Sequence, residues 1–297
     1  MKLRYGTPEE AGTIPKRVDV IKNLCARWVE QKAFPAIVAL VAHKGIIVLH
    51  EAFGKQGPEP DSPPVEIDSI FPLASMTKIV TAAVAMSLVE DGLLGLHLSL
   101  CHYIPELTGE NKDKIRISHL LTHTSGFNDE SLGNHVDWKA IMDNELAGDI
   151  KKAKEAAPNE FIQHPFITRT LSLGYDAPLA TMPGTEMYYM DHNYNLLCEV
   201  IVRVSGKSLY ENAKERILDP LGMKDSYYET PDSVRNRIVG RPSDFHGLNG
   251  WTTGLKFHWV VMGLSQPRWI WQYSGKCALM VVFMTINVYY VVNPFRR

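Results

Sequence analysis

From Ser75 to Gly92 the chain reads as a helix with almost no polar side, rich in Ala, Val and Met. Such residues favour a helix, and Gly92 stands where a left-handed residue closes one. A surface helix carries an apolar stripe. One that is apolar nearly all round has to be buried. The chain must therefore surround this helix with a core, and 297 residues suffice for one large domain or two ordinary ones.

The elements before it supply a sheet layer. Residues 15–33 carry Val18, Ile21, Leu24, Cys25, Trp28 and Val29 at helical spacing, with Pro15 near the start. Two β-branched apolar runs follow, Ala36–Ala42 and Ile46–Phe53, joined by His43-Lys44-Gly45, which is the pattern of a β-hairpin. The proline-rich stretch 57–64 reads as a loop. After the buried helix, residues 117–123, 138–158, 192–205 and 208–219 read as helices, the third stopping at Gly206 and the last at Pro220-Leu221-Gly222. Strand pairs first and helices in the middle predict an α+β fold.

Charge divides the chain unevenly. All 33 acidic residues lie at or before Asp244, whereas the last 53 residues hold none and carry five basic ones (Lys256, Arg268, Lys276, Arg296, Arg297) and four of the six Trp. Residues 245–297 therefore follow a different compositional rule from 1–244. The net charge of −2 offers no basic footprint for nucleic acid. Cys25, Cys101, Cys198 and Cys277 are scattered, which suits free thiols better than a disulfide framework or a zinc site. Cys277–Val292 is apolar but shorter than the roughly 20 residues of a spanning helix, and its Val, Ile, Tyr and Phe favour strands over a membrane anchor. No secretory signal is visible near Met1, so the expected location is the cytoplasm.

Three motifs bear on chemistry. Ser75-Met-Thr-Lys78 is the single Ser-x-x-Lys in the chain. Residues i and i+3 share a helix face, so the Lys78 amine reaches the Ser75 hydroxyl. Apolar burial disfavours an ammonium, which is what a lysine acting as a base requires. The plainer alternative is an N-cap serine beside a lysine reaching for water. His119 and His123 lie at i, i+4, but no Glu adjoins the first and no third ligand is evident; a helix end packed under the active-site helix fits better than zinc. After Pro183-Gly184, Tyr189 is placed to offer a phenol for a second proton transfer, with packing as its alternative role.

Ser75-Met-Thr-Lys78, Ile117-Ser-His-Leu-Leu-Thr-His-Thr-Ser-Gly-Phe127, Pro183-Gly-Thr-Glu186, Asn193-Tyr-Asn-Leu-Leu197 and Asp219-Pro-Leu-Gly-Met223 occur in that order. Together they resemble the class C β-lactamase-related serine hydrolases, a superfamily of class C β-lactamases, DD-peptidases, family VIII carboxylesterases and acyltransferases. The resemblance covers roughly residues 7–240. It implies an antiparallel sheet flanked by helices, an inserted all-helical domain at about 75–185, and an active site between them. It also implies that Ser75 is the nucleophile, Lys78 the base, and Tyr189 the tyrosine of the family's Tyr-x-Asn motif.

Two departures stand out. Asp191 occupies the place of that motif's asparagine, and a carboxylate within a few Å of an amine favours the ammonium form. Asp191 therefore points away, or the proton path differs, or activity is reduced. Tyr188 beside Tyr189 leaves the tyrosine register open by one. The family's late-strand motif, a Lys/His/Trp-[Ser/Thr/Gly]-Gly triplet supplying an oxyanion donor, has one candidate here, Tyr273-Ser274-Gly275, and it arrives early. The C-terminal part thus reads as truncated or altered, a frameshifted or wrongly spliced gene being favoured over a real deletion. The expectation is a serine hydrolase of carboxylesterase type acting on a small ester or amide, without metal or organic cofactor. A class C β-lactamase or DD-peptidase-like enzyme, or a catalytically impaired member, are its alternatives.

Overall fold

The computed structural model describes residues 3–71, 73–135, 171–172, 174–228 and 230–240. The predicted helix at 138–158 and the tail 245–297, with Tyr273, Ser274, Gly275 and Cys277–Val292, lie outside the described residues. The chain divides into two compact units, one holding residues 3–71 and 231–240, the other the described part of 73–230.

The first unit is a helix on a small sheet. Helix α1 (Pro15–Glu30) packs on β2 (Ala36–His43) and β3 (Ile46–Gly54), with the short β1 (Arg4–Tyr5) added parallel to β3. The strand order is β1-β3-β2, so the sheet is mixed, and β2–β3 is the antiparallel hairpin that the sequence predicts. Its two central turn residues, Lys44 (φ 50°) and Gly45 (φ 77°), are both left-handed. That is the turn whose twist matches a right-twisted hairpin, and the glycine makes it accessible. Cys25, Ile37, Ala39 and Leu49 form the core under α1, with Trp28 edge-on to Phe34 at 5.6 Å. Ile21, on the predicted apolar stripe, stays exposed. On the other face Ala36 packs with Val65 and Val239, and Ile238 bridges to Ile70.

The second unit is helical. A 3-10 turn (Ala74–Met76) leads into α2 (Thr77–Glu90), followed by α3 (Leu100–Tyr103), α4 (Ile117–Leu121), α5 (Asp129–His135), α6 (Asp191–Ser205) and α7 (Leu209–Ala213). This helical unit includes α6 and α7. Helix α2 lies against α6, with Val84, Ala85 and Leu88 in one core with Leu196, Leu197, Val200 and Ile201. At about 0.8 kcal/mol per buried CH2 this seam is a principal source of the unit's stability. Ile79 and Met86 remain exposed, so α2 is not covered on every side as its composition suggests. The predicted helix 208–219 is α7 continued by a π-helical turn, Lys214–Leu218, in which Asp219 N–H reaches Lys214 O at 2.9 Å. Ser208 and Glu211 cap α7 reciprocally, Glu211 N–H donating to Ser208 Oγ and Ser208 N–H to Glu211 Oε2.

Candidate active site

The serine sits in a tighter turn than expected. Ser75 lies in the 3-10 turn ahead of α2 rather than in its first turn. Side chains at i and i+3 eclipse in a 3-10 helix, so the spacing still joins Ser75 to Lys78. Lys78 is only 6% exposed. Its Nζ donates to Ser75 Oγ at 3.1 Å and to Asp191 Oδ1 at 2.5 Å. The Tyr189 ring centre is 4.8 Å from the same nitrogen and that of Tyr194 5.7 Å. One amine thus has a hydroxyl, a carboxylate and two aromatic rings around it, all within the helical unit.

Two loops hold these partners. The first runs from the end of α4 through His123, Thr124, Ser125 and Gly126; the second covers residues 180–190. Their backbones pair: Ala180 N–H donates to Gly126 O at 2.8 Å, Gly184 N–H to Thr124 O at 2.7 Å and Tyr188 N–H to His123 O at 2.9 Å. Gly126 (φ 92°) permits this approach, since a Cβ there would stand 2.4 Å from Thr181 O. Asp191 then opens α6, where the positive end of the helix dipole suits a carboxylate. It does not point away from Lys78, which removes the first of the three outcomes its sequence position left open.

Beneath the tyrosines lies a buried polar cluster. His123 Nδ1 accepts the Met190 N–H at 3.2 Å, and its ring lies tilted against those of Tyr189 (4.6 Å between centres) and Tyr194 (5.2 Å). Burial, and then the charge of Lys78, push its imidazole below the ordinary histidine range. The ring is therefore neutral at pH 7, with its proton on Nε2. Fully buried Ser125 donates to Asn193 Oδ1 at 2.6 Å. Burial raises the Tyr194 phenol, whose hydroxyl donates to Leu121 O at 3.4 Å.

Several sequence-selected residues are brought together here: Ser75, Lys78, Tyr189 and Asp191. Tyr188 is not. Its hydroxyl donates to Glu186 Oε2 at 2.6 Å, and that carboxylate raises its phenol. Of the two adjacent tyrosines, Tyr189 is the one that faces Lys78. The two histidines of His119-x-x-x-His123 diverge, since His119 Nδ1 accepts the Arg116 N–H at 3.2 Å. Among the described residues no cluster of His, Cys, Asp or Glu could hold a metal ion, and no helix is long and apolar enough to cross a membrane. Sequence reasoning missed Asn193, Ser125 and Tyr194 as supports of the site. The signal was present, because Asn193 and Tyr194 fall one helical turn or less beyond Asp191.

This geometry meets a matching family pattern, for the beta-lactamase family model aligns with residues 21–248. The chain belongs to the beta-lactamase family. A lovastatin esterase of Penicillium rubens is 31% identical over 233 residues, covering 70% of this chain and 53% of the relative. Among solved structures, EstCE1, a hydrolase with promiscuous acyltransferase activity, superposes with a TM-score of 0.59 at 21% identity, over 75% of this chain and 55% of that one. A class C beta-lactamase in complex with cefoxitin gives the same TM-score at 22% identity, with the same coverage of both chains. These two likenesses establish the fold, α+β as the sequence predicts. The chain spans about half the length of the curated relatives it matches.

Proposed function

We propose that this family member is a serine hydrolase of carboxylesterase type, cleaving small esters or amides through an acyl-enzyme. The observation that carries the reading is the buried Lys78 amine 3.1 Å from Ser75 Oγ. Nucleophile and base within hydrogen-bond reach, with the base oriented by a third group, is the general arrangement for covalent catalysis. Ser75 attacks the carbonyl, Lys78 takes the hydroxyl proton, and Tyr189 helps return it to the leaving group. Similarity to a lovastatin esterase, at 31% identity, favours esters over lactams.

Hydrolysis of p-nitrophenyl butyrate by wild type, Ser75→Ala and Lys78→Met tests this directly. Both variants should lose activity by about 10³-fold or more, because members of a catalytic unit fail together. Equal rates for wild type and Ser75→Ala would remove Ser75 from the reaction. Faster turnover of a chromogenic cephalosporin than of any short ester would replace the esterase reading with a lactamase. The Lys78–Asp191 ion pair supports a second reading, a member that folds but does not turn over. Its mark would be folded wild-type protein inert toward both substrates.

A further inference from the structure

We propose that Asp191 is the proton acceptor that makes Lys78 a base, so that Ser75, Lys78 and Asp191 work as a relay. This rests on the hydrolase reading above and adds the step that reading lacks. An ammonium has no lone pair with which to take a serine proton, and Lys78 is held in an ion pair with Asp191. A base of this kind needs somewhere to put the proton it already carries.

The geometry provides the place. Lys78 Nζ has two polar contacts in different directions, Ser75 Oγ and Asp191 Oδ1. The Nζ–H aimed at Oδ1 passes to Asp191, and a turn of the neutral amine about the Cε–Nζ bond then brings the freed lone pair to Oγ. Both side chains are largely withdrawn from water, Lys78 at 7% exposure and Asp191 at 15%. Separated charges are weakly solvated there. Moving one proton along the existing hydrogen bond converts ammonium and carboxylate into a neutral amine and a neutral acid, with no change in net charge.

The steps balance. The Nζ–H bond breaks and Oδ1–H forms; the freed Nζ lone pair takes the Ser75 proton while Oγ bonds to the carbonyl carbon and its π pair moves onto oxygen. Collapse of the tetrahedral intermediate expels the alkoxide, which takes a proton from Nζ, directly or through Tyr189. Asp191 then returns its proton to Nζ, and the products are acyl-Ser75 and an alcohol.

The other groups facing the pair fit both ends of this cycle. The ring faces of Tyr189 and Tyr194 favour the ammonium when Lys78 holds the serine proton. The N-terminus of α6 favours the resting carboxylate. His123 is neutral and tied to Met190, so it does not compete for the proton. Asp129 at the start of α5 lies close enough to feel the charge of Asp191, and Cys198 close enough to feel that of Lys78. An asparagine at 191 would keep a hydrogen bond to Nζ but could not store a proton.

The test is acylation by p-nitrophenyl butyrate, followed as the burst of p-nitrophenol, in wild type, Asp191→Asn and Asp191→Glu. The relay predicts a fall of about 10²-fold or more in the acylation rate of Asp191→Asn at pH 7, with KM within about threefold of wild type. The remaining activity should rise toward alkaline pH, and Asp191→Glu should restore part of the neutral activity. Asp191→Glu keeps a carboxylate beside Nζ, so its activity reads the relay even where Asp191→Asn does not fold. Asp191→Asn acylating at the wild-type rate with the wild-type pH profile, or folded Asp191→Glu no more active at pH 7 than folded Asp191→Asn, overturns the relay. Folded wild type that releases no p-nitrophenol overturns the hydrolase reading itself, a result distinct from the relay's failure.

Discussion

At the scale of single residues the site rests on side chains whose burial is at odds with their polarity. His192 is the clearest case outside the reacting groups. It is buried edge-on against Phe127 at 5.0 Å, and its Nε2 has no hydrogen-bond partner among the described residues. Burial, reinforced by the nearby Lys112 ammonium, lowers its imidazole to about 3. The unfolded chain, at about 6.5, binds a proton over a range in which the folded one does not, so stability falls as pH drops from about 6.5 toward 3. From pH 7 to pH 5 this histidine alone should cost about 2 kcal/mol. His123 contributes in the same direction. In urea titrations at the two pH values, His192→Leu should flatten this difference while leaving stability at pH 7 unchanged or higher. A wild-type midpoint that does not move between pH 7 and pH 5 would contradict the assignment. The Ser125–Asn193 pair makes the opposite prediction: Asn193→Ala strands a fully buried hydroxyl and should cost about 1–3 kcal/mol at any pH in that range, read from the same titrations.

At the scale of elements, the sequence was informative wherever a structural relation is local. The hairpin follows from two apolar runs and a Lys-Gly turn, α6 from a helical stretch closed by Gly206, and the Ser75–Lys78 contact from a spacing of three. It was uninformative where partners are distant. Ser125 and Asn193 are 68 residues apart, and nothing local couples them. The orientation of Asp191 depends on how two loops pair, which neither loop encodes alone. Lys112 shows the same limit: an ammonium 1% exposed, 4.0 Å from the centre of the Phe127 ring, breaks the hydrophobic pattern by which cores are read. The pairing of the two loops is itself testable at Gly126. An alanine there must adopt a left-handed φ and displace the Thr181 carbonyl. Strain of this kind costs about 1–3 kcal/mol. Gly126→Ala should therefore lower the melting temperature and, by shifting the loop that carries Tyr189, lower esterase activity at temperatures where the fold is intact. Unchanged activity would show that the Tyr189 loop is positioned independently of this contact.

At the scale of the whole molecule the two units differ in how much core they hold. The helical unit buries one large cluster around α2 and α6, in which Val84, Leu88, Leu196 and Val200 are fully enclosed. Among the described residues the sheet unit has two small clusters, each of a few buried residues. Local stability follows buried apolar contact. Hydrogen exchange should therefore find the slowest amides in α2 and α6, with β2 and β3 opening first. Simultaneous exchange throughout would mean that the units do not open separately. Ser75, Lys78, Tyr189 and Asp191 all belong to the helical unit, so their mutual geometry should persist through such opening.

The most direct test of the central claim, that a buried lysine activates Ser75, is intact-mass and peptide analysis after exposure to a fluorophosphonate. The expected result is one stable adduct on Ser75 of the wild type, nearly absent from folded Lys78→Met and absent from Ser75→Ala. Folded wild type that takes up no label, or a Lys78→Met variant labelled at the wild-type rate, would contradict it.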